Sequence, residues 1–142
     1  MDATDPALVD RLRRLGRHVA MLESPDFSFG AWAPVHRYAD GSINMPWYEF
    51  SPGAEAFLAD ARALVTPFDW PAWASAPEGQ QLLGRPDAVA SASVDDLGKL
   101  LTTYIRGERF GDGTLAGAFD SGMLTAIARR AAALADELDP AE

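Results

Sequence analysis

With 142 residues, 48% hydrophobic and 23% charged, the chain has the length of one domain and ordinary globular usage, which excludes a disordered chain. Its net charge of -9, from 12 basic and 21 acidic side chains, opposes general affinity for nucleic acid, whose binders carry a basic stripe or patch. The lack of cysteine excludes a disulfide framework, a thiol nucleophile and a cysteine-based metal site.

The start, "MDATDPALVDRLRRLG", has acidic groups where a signal peptide needs a basic one. No stretch approaches the roughly 20 apolar residues of a membrane span. A cytoplasmic protein without a membrane segment is expected. Lys99 is the one lysine, and the arginine and alanine bias fits a GC-rich bacterial genome.

Thr4 is placed as N-cap and Pro6 in the first turn of an amphipathic helix over about 5–23, with Leu8, Leu12, Leu15, Val19 and Leu22 in one stripe. Arg11, Arg13, Arg14 and Arg17 then read as a solvated face. After "SPDFSFG" the pattern changes. Asp40-Gly41 between two aromatic and β-branched runs predicts an antiparallel ribbon near 30–38 and 43–50, with Pro34 and Pro46 at edge positions. Alternation puts Trp47 and Glu49 on one face and Tyr48 and Phe50 on the other.

Ser51-Pro52 opens a helix over about 52–65 striped by Phe57, Leu58, Ala61, Leu64 and Val65. Asp69 caps a short helix carrying Trp70 and Trp73, which Pro77 interrupts or ends. "GRPDAVASAS" reads as connecting material. Ser93 and Asp96 form a capping box before a helix that buries Leu97, Leu100, Leu101, Tyr104 and Ile105 and leaves Lys99, Thr102, Thr103, Arg106 and Arg109 opposite or at its margins. A last alanine-rich helix carries Leu124, Ile127, Ala131, Leu134 and Leu138, and "DPAE" frays. The expected fold is α+β, mainly α: one compact domain over 1–142, of about five helices with a small antiparallel β-ribbon near residues 30–50.

"RGERFGDGTLAGAFDSG" invites a phosphate-loop reading, but a helix precedes its glycines and no lysine follows. The spacing of Gly111, Gly113 and Gly117 also misses the dinucleotide pattern by one residue. It reads as a helix corner, with Gly111 or Gly113 in a left-handed cap and Asp112 or Thr114 capping the next helix. His18 and His36 lack the partners of a metal site, so no metal and no cofactor are expected. His36 would act as a base only with a carboxylate such as Glu49 across the ribbon. Trp32, Trp47, Tyr48, Phe50, Phe68, Trp70 and Trp73 fall close together in the chain and build either a core wedge or an aromatic-lined pocket.

"MPWYEFSPGAEAF", "VTPFDWPAW", "LGKLLTTYIRGERF" and "GTLAGAFDSGMLTAIARR", in that order, resemble a bacterial family catalogued as a domain of unknown function, number 6508, over roughly residues 29–134. The resemblance implies one compact intracellular domain and supplies no activity. Where that pattern often has cysteine, an acid, glycine and histidine after the Arg-Phe pair, this chain has Gly111, Asp112, Gly113 and Thr114. Where it has histidine after the second glycine, this chain has Met123. A metal or acid-base site built on those histidines would be lost here.

The expectation is a small acidic binding or regulatory module without catalysis, meeting a protein partner or a small anionic ligand where the aromatic segment adjoins the Arg106 to Asp120 corner. Its candidate residues are Trp47, Glu49, Trp70, Trp73, Arg106, Arg109, Asp112 and Asp120. The rival is a small enzyme in which Arg106 and Arg109 hold an anionic substrate and Asp112, Asp120 or Glu49 moves a proton.

Overall fold

Caps and first-turn prolines set most helix starts in the computed structural model, which describes residues 5–139. In α1 (Pro6–Gly16) the Asp5 carboxylate accepts from the Ala7 amide at 2.9 Å, and Pro6 sits where a missing N–H costs nothing. Thr4, the expected cap, lies outside the described residues, as do residues 140–142 of the tail. The helix expected over 5–23 divides at Arg17 and His18, and α2 (Val19–Glu23) follows. His18 is drawn away from the helix: its Nε2 lies 2.7 Å from Asp60 Oδ2, and its ring stands edge-on to Phe57.

The ribbon pairs β1 (Gly30–Trp32) with β2 (Tyr48–Phe50), Ala31 opposite Glu49. Its arms are shorter than expected. The Ala33 amide still donates to Trp47 O at 2.7 Å, but Pro34 and Pro46 have no N–H to give, and pairing resumes only at Arg37 and Ile43. The Asp40-Gly41 turn closes as predicted. Tyr38 N donates to Ser42 O at 2.8 Å, and the Asp40 carboxylate accepts from the Ser42 amide and hydroxyl.

Ser51 caps α3 (Pro52–Arg62) and Asp69 caps α4 (Trp70–Ser75), each accepting from an amide at 3.2 Å. Two short turns follow, α5 (Pro77–Gln80) and α6 (Pro86–Val89). The second falls within residues read as connecting material, its Pro86 in the first turn. Ser93 and Asp96 form the expected box at the start of α7 (Val94–Glu108). Beyond the corner come α8 (Thr114–Asp120) and α9 (Met123–Leu138). The fold is therefore α+β and mainly α, with more short helical turns than the predicted five helices.

α1 lies along α9, while α7 touches α3, α4, α8 and α9. Leu12, Leu15, Phe57, Leu58, Leu97, Leu100, Leu101, Leu124 and Ile127 are fully buried between them. Gly16 marks the close approach of α1 to α9: a Cβ there would stand 2.7 Å from the Ala132 Cβ. Thr102 and Thr103 correct the sequence reading, for both are buried, Thr102 to 1% exposure. α3 stops at Arg62, short of residue 65, and the chain beyond it crosses α7. There the Thr66 amide donates to the Thr102 hydroxyl at 2.9 Å, and that hydroxyl lies 2.7 Å from Gly98 O. The hydroxyl thus satisfies a backbone group that burial would otherwise leave unpaired.

Candidate functional site

The chain between α7 and α8 is held by one carboxylate. Glu108 Oε2 accepts from the Gly113 amide at 3.1 Å and Oε1 from the Leu115 amide at 2.8 Å. The last residue of α7 thereby caps α8, the part expected of Asp112 or Thr114. Thr114 instead donates through its hydroxyl to Gly111 O, and Asp112 Oδ2 accepts from the Tyr48 amide at 3.2 Å, tying the corner to β2. Gly113 has φ 99°, in the left-handed region that glycine favours, and a Cβ on it would lie 2.9 Å from Trp32 Cζ2. Ribbon and corner are therefore in direct contact.

The aromatic residues separate into two sets. Phe29 stacks on Phe119 of α8 with centroids 5.0 Å apart, Phe27 meets Phe119 edge-on, and Phe29, Tyr48 and Phe50 pack against one another, a wedge between ribbon and α8. Trp73 is buried against Phe68 and presents no surface. Burial, with the negative charges of Asp120 and Glu108 beside it, pushes the Tyr48 hydroxyl above its ordinary pKa. The second set, the remaining large apolar side chains of this segment, is solvent-exposed, although Trp32, opposite Tyr48 and edge-on to it, lies on the face of the ribbon that meets the corner. Trp32, Val35, Tyr38, Ile43, Met45 and Trp47 are exposed, and among the described residues the other large exposed apolar side chain is Phe110, at the corner.

Trp47 and Glu49 share a face as predicted, the indole Nε1 donating to Glu49 Oε1 at 3.1 Å. Trp70 is half-buried and tilts over Phe110 at 6.1 Å. His36 meets Tyr38 edge-on, whereas Glu49 stands opposite Ala31. Asp120 is exposed at the end of α8.

Arg106 and Arg109 line a groove of about 400 Å³ with Arg62, over a floor of Phe50, Val65, Ile105 and Leu115. Glu108 also borders it, with both oxygens turned to backbone amides. Glu49, Asp112 and Asp120 are not among its lining residues. None of the three guanidiniums makes an ion pair or hydrogen bond among the described residues, so Arg106 and Arg109 do not brace Asp112 or Asp120. Arg62 carried no sequence signal, because it falls beside the apolar stripe of α3 like any solvated cation. Glu108 was legible only by asking which side chain caps a helix that starts at glycine.

The model of the family of unknown function DUF6508 matches residues 7–137. The chain belongs to that family. The DUF6508 match takes in α1, beyond the 29–134 stretch that carries the resemblance. No curated protein and no solved structure matches the chain. Met123 is fully buried at the start of α9. Among the described residues, no three histidine, aspartate or glutamate side chains gather as metal ligands would, and no helix is long and apolar enough to cross a membrane.

Proposed function

We propose that this DUF6508 protein is a binding module that receives a partner protein on the outer face of the ribbon. One observation carries the reading: the large exposed apolar side chains of the described residues are confined to positions 32–47 and Phe110, with Met45 and Phe110 each 83% exposed. Single exposed apolar residues are ordinary, but their concentration in one stretch of the chain supports reading it as an interaction surface. The ribbon is fastened to the corner by the bond from the Tyr48 amide to Asp112 and by the packing of Trp32 on Gly113, so the face is preorganised. Glu49, Asp112 and the net charge of -9 favour a partner whose apolar patch has a basic rim. The enzymatic alternative needs a carboxylate available among the arginines, and the one that borders them is engaged as a cap.

A photo-crosslinking residue introduced at Met45 in the producing cell tests this reading, with the same residue at exposed Arg11 of α1 as control. An adduct of discrete mass is expected from position 45 and not from position 11. No adduct, equal labelling at both positions, or an adduct solely of two copies of this chain would overturn a partner protein on this face.

A further inference from the structure

The groove beside the ribbon has a chemistry that the apolar face does not explain. Arg62 comes from the last turn of α3, Arg106 from the last turn of α7, and Arg109 from the cap position just after α7, so cations from two separate helix ends line one recess. Arg13, Arg14, Arg129 and Arg130 find carboxylates at Asp136, Asp10, Glu23 and Glu137, whereas the three arginines of this recess pair with none among the described residues although a carboxylate borders it. Here the one carboxylate at the rim accepts from the Gly113 and Leu115 amides and forms no ion pair with the three guanidiniums, whose charge exceeds its own. The floor between them is apolar, from half-buried Phe50, Val65 and Ile105 and buried Leu115.

We infer that this groove binds a small organic dianion, with a phosphate monoester or dicarboxylate head among Arg62, Arg106 and Arg109 and an apolar body on Phe50, Val65, Ile105 and Leu115. Guanidinium forks match the paired oxygens of both head groups, and a doubly charged head answers several cations better than a single carboxylate does. An apolar body gains by covering the floor. The glycines of the corner take no part in holding the anion. The inference stands independently of the ribbon face, since a partner protein and a dianion meet different residues.

Isothermal titration of the full chain at low ionic strength, with phenyl phosphate, phthalate, benzoate, inorganic phosphate and benzyl alcohol, tests it. Saturable binding of phenyl phosphate or phthalate is expected, whichever is tighter naming the head group, with benzoate and inorganic phosphate weaker and benzyl alcohol silent. Arg62→Gln, Arg106→Gln and Arg109→Gln should each weaken it by about three- to tenfold, while Arg11→Gln leaves it unchanged. Arg106→Lys should recover part of the loss, since it keeps the charge and loses the fork. These side chains are exposed, and melting curves would verify that each variant is folded. Absence of saturable dianion binding, equal affinity for phenyl phosphate and inorganic phosphate, or affinity untouched by the three glutamine variants would overturn the assignment.

Discussion

Gly113 has two constraints on one residue, a left-handed backbone and the Trp32 ring where a Cβ would go. Gly113→Ala should therefore cost about 2 kcal/mol or more, the left-handed penalty plus displacement of the ring. Gly117, inside α8 with open space where a Cβ would stand, should behave oppositely, and Gly117→Ala should add roughly 0.5–1 kcal/mol. Urea unfolding of both variants checks the contrast, and equal effects would remove the argument. The tyrosines set the alkaline limit. Burial first, then Asp120 and Glu108, raises Tyr48 above 10.0, and burial raises Tyr104 against the lowering effect of its bond from the Gly84 amide. A raised folded pKa means that the unfolded chain ionises first, so this stability is complete below about pH 10 and is lost as pH climbs through the raised values. The double variant Tyr48→Phe, Tyr104→Phe should flatten the decline of unfolding free energy above pH 10, leaving the share of Lys99, which Asp95 raises.

At the scale of elements, the joint between α7 and α8 depends on Glu108. Glu108→Gln keeps one acceptor oxygen for two amides, and a loss of about 1–2 kcal/mol is expected. Amide exchange at Gly113 and Leu115 should accelerate in that variant while the middle of α7 stays protected, and unchanged protection would show the bonds to be idle. Local chemistry was legible wherever a cap lay next to its helix: Ser51, Asp69, and Ser93 with Asp96 all act as their spacing predicts. It was illegible where the partner came from elsewhere. The division at His18 answers Asp60, the burial of Thr102 answers Thr66, and the cap of α8 is borrowed from α7. Helical periodicity records which face is apolar, not which polar group a later segment will reach.

For the whole molecule, the contact of α1 with α9 closes the core around Gly16 and Ala132. Gly16→Val would drive a branched side chain into the α9 backbone, and a loss of about 2–3 kcal/mol is expected, with a lower midpoint in thermal unfolding. A variant as stable as the parent would mean that the helices separate freely. Composition and pattern determined that this is a single-domain-length, mainly helical chain with a ribbon near 30–50, because apolar stripes, prolines and caps act within a few residues. They also marked Arg106, Arg109 and the aromatic segment as unusual. Only the tertiary structure decided that Trp73 goes inward while Trp32, Trp47 and Met45 stay out, and that Arg62 joins Arg106 and Arg109. Those outcomes depend on which surfaces meet between segments distant in the chain, as Arg62 of α3 and Arg106 of α7 do. A side chain's neighbours at that distance are set by packing, which no local spacing encodes.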